Sequence, residues 1–194
     1  MPASGPASTS TIAAPSPRRA AQLRSIRPDI QIVPLRGNVE TRLEKVRSGE
    51  VDATLLTSAA LKRLGMPDVG VAVPVEVMLP APGQAALGME CRTDDNVTQS
   101  ILTTVSNEIT FWAVSAERAF TRALGASCHS PVAALAILDD GELGMRAQIF
   151  SEDGSEMIQD KARFDCGDDD TPAKLAERML ANAPPSIRSL FAKA

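Results

Sequence analysis

The chain has 194 residues, of which 44% are hydrophobic and 23% charged, so it can bury a real core in one large domain or two small ones. Aromatic residues make up only 3%, Tyr is absent and the net charge is −4. Together these argue against base stacking and against a nucleic-acid partner.

Residues 1–14 are rich in Pro, Ser, Ala and Thr and read as a disordered tail. Their start lacks the basic flank and apolar stretch of a secretory leader, and no apolar run reaches membrane-spanning length, so a cytoplasmic location is expected, with no membrane partner. Ser16 then has the chemistry of an N-cap, with Pro17 at the first helical position of a helix running to about Ile26. "IQIVPL" (30–35) reads as a strand. Asn38 opens a helix carrying Val39, Leu43 and Val46 on one face, which Gly49 closes. "VDATLLT" (51–57) is the next strand, and "SAALKRLG" (58–65) a short helix. Such alternation predicts a parallel or mixed sheet with helices packed on it.

Residues 66–83 are rich in Pro and Val and read as extended crossover structure. Residues 106–124 form a strong amphipathic pattern, with Ile109, Trp112 or Ala113, Ala116, Phe120 and Ala123 on one face and Gly125 as terminator. Three strands follow, 131–138, 143–150 and 157–164, joined by Asp-Gly hairpin signals. A last helix opens at Thr171-Pro172 and runs to about Asn182. The expected fold is therefore an α/β part followed by an antiparallel meander with flanking helices.

Charge is unevenly spread. Residues 1–70 hold ten basic and six acidic side chains, and residues 71–194 hold ten and eighteen. The basic half points to an anionic ligand. Arg18 and Arg19 crowd the start of one helix, and Arg36 and Arg42 that of another. This is the wrong end of the dipole for cations, at about 0.3–1 kcal/mol each, unless an anion is bound there. Arginine forks suit carboxylates or phosphates.

Three cysteines, Cys91, Cys128 and Cys166, are odd in number with no close pairing, which fits a reducing compartment. Buried packing is the default for Cys91 and a solvent-side position for Cys166. Cys128 lies in "GASCHSP" (125–131) beside the only histidine, His129. Following a helix C-terminus, it gains nothing from the dipole, and no ligand spacing here completes a metal site. From the residues alone an inert, partly buried thiol is the default, with a nucleophile and an anchor left open.

Six dispersed blocks carry a resemblance: "SPRRAAQLRSIRPDI" (16–30), "LRGNVETRLEKVRSGEVDATLL" (35–56), "ALKRLG" (60–65), "LPAPGQAALGMECR" (79–92), "AERAFTRALGASCHSPV" (116–132) and the later "DG" hairpins. In this order, over roughly residues 12–180, they resemble hydroxymethylbilane synthase (porphobilinogen deaminase). The resemblance implies an α/β fold with a partial periplasmic-binding-protein-like lobe (a mixed sheet with helices), then an α+β domain with a three-stranded antiparallel sheet. It divides the chain into the tail 1–14, an incomplete second domain 15–85, a segment 86–105 that returns to a first domain, and a cofactor-cysteine domain 106–194. The function it implies is polymerisation of four porphobilinogen units on a cysteine-linked dipyrromethane primer, in tetrapyrrole biosynthesis. It makes Cys128 the covalent attachment point. Ser16, Arg18, Arg19 and Arg36 become cofactor-binding residues, and Arg42, Arg63 and Gln84 substrate-binding ones.

No residue here matches the family's catalytic aspartate, which belongs to the first domain. A separate chain carrying that domain is one implied partner, and an inactive remnant that only binds polycarboxylate tetrapyrroles is the alternative. No metal is implied. The sequence also departs from the family pattern. Ala85 stands where the family has Gly, so its Cβ opposes a positive φ, and Ala126-Ser127 replaces Gly-Gly before Cys128.

Overall fold

The computed structural model describes residues 10–14 and 16–191. Most of the expected tail thus lies outside the described residues, but its end does not. Thr11–Ala13 form strand β1, paired in parallel with β2 (Gln31–Val33) and with β3 (Ala53–Thr54). The order β2-β1-β3 makes β1 the central strand, which corrects the reading of 1–14 as disordered throughout. Its signal was weak because only three residues pair, directly after a run of Ser and Thr. The sheet is parallel, not mixed, because α1 (Pro17–Ile26) and α2 (Val39–Arg47) each return the chain for the next strand. Its core is small: Ala13, Leu35 and Val51, with Val33 and Val46 packed on them.

Helix α3 (Ser58–Arg63) follows, with Thr57 accepting from the Ala60 amide as N-cap. Residues 66–91 run through turns and extended chain without a strand. Helix α4 (Asn96–Val105) went unread in the sequence. Asp95 caps it by accepting from the Thr98 amide, and none of its residues is buried. Helix α5 (Glu108–Leu124) starts at Asn107 and ends at Gly125, whose φ of 66° is left-handed. Ile109, expected on its core face, is exposed because the first turn carries no neighbour. Cys91 is likewise exposed, not buried, and Cys166 is exposed as expected.

The second sheet is the expected meander, β4 (Val132–Asp139), β5 (Glu142–Phe150) and β6 (Met157–Phe164), antiparallel throughout. Helices α5 and α6 (Asp170–Ala181) pack on one face and bury Phe120, Leu124, Met145, Ile149, Leu175 and Met179. A short α7 (Pro185–Arg188) adds Ile187 to the same core.

The two parts meet at a third cluster, where Ala21 of α1 and Leu79 pack on Ala133 and Phe150. The β5–β6 loop closes this seam. Asp153 accepts from Ser151 Oγ at 2.6 Å and from the Ser155 amide and hydroxyl at 3.1 and 2.8 Å. These bonds hold its carboxyl at about 2, below the ordinary 3.8. The stabilisation from a depressed carboxyl is present above the ordinary value and lost as pH falls toward 2. Asp153→Asn is therefore expected to flatten the loss of stability between about pH 4 and pH 2, read from denaturant midpoints across that range. An unchanged acid limb would contradict this assignment.

Candidate functional site

The start of α1 is built to face an anion. Ser16 is its N-cap residue but makes no side-chain cap bond, no acidic residue lies in the first turn, and Pro17 occupies N1 or N2. The opening amides of Arg18 and Arg19 have no intrahelical acceptor. The side chain of Arg18 points inward and is only 5% exposed. Its Nη1 donates to the Leu79 carbonyl and its Nη2 to Gln84 Oε1 at 3.4 Å. Its Nε is buried with no partner. Burial, and then the neighbouring charge of Arg19, push the Arg18 guanidinium down to about 10.

Arg19 donates to the Leu55 carbonyl at 3.3 Å, and its pKa is lowered by burial and by the charge of Arg42. Arg42 donates from Nε to the Gly37 carbonyl at 3.0 Å, so the α2 arginine is held back toward the turn that opens its own helix. The α2 start differs from that of α1 because Asn38 caps it from within, accepting from the Thr41 amide at 2.9 Å. Arg36 is exposed in the turn between β2 and α2, and Arg63 is exposed at the end of α3. Among the described residues, none of Arg18, Arg19, Arg36, Arg42 and Arg63 forms an ion pair, whereas Arg27, Arg163 and Arg178 each meet a carboxylate. A buried guanidinium with no carboxylate beside it is costly, and a bound anion would offset that cost.

Gln84 sits in a tight turn in which its Oε1 also accepts from the Ala81 amide at 3.2 Å. Gly83 has φ 68° and Ala85 φ 70°. The Cβ of Ala85 does not bar the left-handed conformation, which costs a non-glycine residue roughly 1–2 kcal/mol.

Cys128 is an exposed, free thiol in the loop between α5 and β4. Ser130 Oγ accepts from the Ser127 amide at 2.9 Å and Ser127 Oγ from the His129 amide at 3.2 Å, which shapes the loop without engaging the thiol. His129 is exposed. The structure thus joins Arg18 to Gln84 directly and sets Arg19 against Arg42, while Arg36, Arg63 and Cys128 form no hydrogen bond with any of them. The 79–84 loop is nevertheless tied to the strand leaving the Cys128 loop, because Ala134 donates to the Pro80 carbonyl at 3.2 Å. Among the described residues no cluster of His, Cys, Asp or Glu can hold a metal, and no helix is long and apolar enough to cross a membrane.

Two buried polar side chains beside these residues carry no signal in the motifs. Gln22, one turn beyond Arg18, is buried and donates to the same Leu79 carbonyl at 3.0 Å. Glu117 is 5% exposed and accepts from the amides of Gly83 and Ala136. The periodicity of α5 contained the signal, since position 117 falls on the buried face with Phe120 and Leu124. A carboxylate there must be serving backbone donors.

Comparison with known proteins accords with this geometry. Residues 3–100 match the family model described as "Porphobilinogen deaminase, dipyromethane cofactor binding domain", and residues 111–181 match "Porphobilinogen deaminase, C-terminal domain". A porphobilinogen deaminase of Sphingopyxis alaskensis is 51% identical over 178 residues, covering 91% of this chain and 56% of that protein. One of Sorangium cellulosum is 46% identical over 165 residues, covering 84% and 53%. The chain spans about half the length of these curated relatives. The chain therefore belongs to the porphobilinogen deaminase family.

Proposed function

We propose that the protein carrying this chain is a hydroxymethylbilane synthase. In this reading it joins four porphobilinogen units into a linear tetrapyrrole on a dipyrromethane held by Cys128, with one ammonia lost at each addition. The observation that carries it is the buried, carboxylate-free Arg18 with its orphaned Nε, in a chain whose family model is a cofactor-binding domain. Each pyrrole bears acetate and propionate groups, so the bound chain is a polyanion that fits a cluster of unpaired guanidinium groups.

Ser16, Arg18, Arg19 and Arg36 are the residues proposed to hold the cofactor's carboxylates, and Arg42, Arg63 and Gln84 those of the incoming unit. The free amides opening α1 add hydrogen bonds to carboxylate oxygens, and the dipole makes them worth more to an anion than to water. When bound, the dipyrromethane supplies the terminal pyrrole carbon to which units are added. Cys128 needs no basic partner for this role, because an anchor is charged once and then stays bonded.

The proton work at the pyrrole nitrogens needs a carboxylate, which we assign to a first domain on the remainder of the protein or on a separate chain. Residues 15–85 would then form a lobe of periplasmic-binding-protein type, 106–194 the cysteine domain, and 86–105 the segment that meets the first domain. The exposed stripe Val97, Ile101 and Val105 on α4, continued by Ile109 and Phe111, supports that placement. Three exposed thiols fit a reducing, cytoplasmic setting.

Ammonia release from porphobilinogen by the complete protein tests the reading. Cys128→Ala is expected to abolish turnover, a loss of at least about a thousandfold for removal of a covalent group. Turnover of Cys128→Ala at the wild-type rate would overturn it.

A further inference from the structure

Glu117 spends a buried carboxylate on two backbone amides. Oε2 accepts from Gly83 N–H and Oε1 from Ala136 N–H at 2.8 Å, and no basic side chain pairs with it among the described residues. Burial outweighs these bonds and raises its carboxyl above the ordinary range. Simple packing on the face of Phe120 and Leu124 would be served better by an apolar side chain.

Three pieces of the chain converge on this one group. Helix α5 carries it and ends at Gly125, eight residues on, where the Cys128 loop begins. Strand β4 leaves that loop, and Ala136 lies eight residues beyond Cys128. The third piece is the 79–84 loop, whose Leu79 carbonyl and Gln84 side chain hold the Arg18 guanidinium. One carboxylate thereby closes the stem of the Cys128 loop and clips it to the loop that seats Arg18.

We propose that Glu117 is a positioning residue that fixes the separation between the Cys128 loop and Arg18, acting through the amides of Gly83 and Ala136. This rests on the reading of Cys128 as anchor and Arg18 as carboxylate receptor. A two-pyrrole group tethered at one end and charge-bound at the other tolerates little slack between them. A misplacement near 1 Å can cost on the order of a hundredfold in such a step.

Nitroxide labels on Cys128 and on a Ser25→Cys site in α1, in a Cys91→Ser, Cys166→Ser background, report this separation by pulsed electron spin resonance. With Glu117 present, a single narrow distance distribution is expected. In Glu117→Gln an NH2 group replaces one acceptor and faces an amide donor, so the distribution should broaden or shift while circular dichroism still shows a folded chain. Glu117→Asp, one methylene too short to reach both amides, serves if Glu117→Gln does not fold. In unlabelled protein, adduct formation at Cys128 should slow by about tenfold or more.

A role in stability alone lowers Tm and leaves the distance in the folded chain unchanged, and that result overturns the proposal. If the distance responds as expected while the wild-type protein takes up no pyrrole, the reading of Cys128 as anchor is what fails.

Discussion

Arg18→Met is expected to stabilise the chain while removing polycarboxylate binding. The guanidinium is buried without a carboxylate, its Nε has no partner, and its folded-state pKa is lowered to about 10. A cation whose folded pKa lies below its unfolded value opposes folding at every pH below the folded pKa, a penalty relieved only as pH rises through about 10 toward the ordinary guanidinium range. Removing it leaves little behind unsatisfied. The Leu79 carbonyl keeps the Gln22 donor at 3.0 Å, and Gln84 Oε1 keeps the Ala81 amide at 3.2 Å. Replacing buried charge by an apolar chain of similar length yields about 1–4 kcal/mol in favourable cases, and we expect a gain of about 1–2 kcal/mol. Binding of a linear polycarboxylate pyrrole should weaken by about 2–3 kcal/mol, roughly 30- to 150-fold. Calorimetric titration and denaturant melts on the same sample measure both. A variant that binds as well as wild type would remove Arg18 from the site. One that loses stability instead would make it a structural tie.

The second large effect is expected at Gly154. It has φ 75°, and a Cβ there would lie 2.5 Å from the Ala21 carbonyl oxygen and 2.9 Å from its Cα. Backbone cannot swing aside as a flexible side chain can, so Gly154→Ala must either separate the β5–β6 loop from α1 or distort one of them. The expected cost is about 2–4 kcal/mol, a fall in Tm of roughly 5–15 °C. Gly141→Ala is the control. Its φ of 84° is equally left-handed but nothing lies within 4 Å of its Cβ, so only the conformational cost remains, about 1 kcal/mol. Equal melting temperatures for the two variants would mean that the loop does not bear on α1. Because α1 carries Arg18 and Arg19, Gly154→Ala should also weaken polycarboxylate binding, whereas Gly141→Ala should not.

Local chemistry made much of the fold legible in the sequence. Ser16-Pro17, Asn38 and Gly125 mark helix ends through capping and backbone rules that need no tertiary contact, and each stands at a helix end. The meander was readable because its hairpins use Asp-Gly turns, Asp140-Gly141 and Asp153-Gly154. What escaped depends on partners distant in sequence. Strand β1 is three residues long and exists because β2 and β3 flank it. Helix α4 buries nothing, so its periodicity points at no core within the described residues. Ile109 fits the α5 stripe by spacing, yet its turn has no neighbour.

The site divides in the same way. Residue type and order exposed the arginines and Cys128, because guanidinium groups at helix starts and a lone thiol on a loop are unusual wherever they fall. Burial made the rest. Arg18 is carried under the 79–84 loop while Arg36 stays exposed in the turn before α2, a difference that no spacing foretells. Glu117 draws its meaning from the amides of Gly83 and Ala136, 34 and 19 residues away along the chain.

Intact mass spectrometry of the chain, before and after incubation with preformed linear hydroxymethylbilane, tests the central claim most directly. The account predicts a covalent adduct of four pyrrole units, formed as the thiol displaces the terminal hydroxyl as water, confined to the peptide bearing Cys128 and absent from Cys128→Ala. An adduct on Cys91 or Cys166 that persists in Cys128→Ala would contradict it, as would an unmodified mass in a chain that still binds the polycarboxylate.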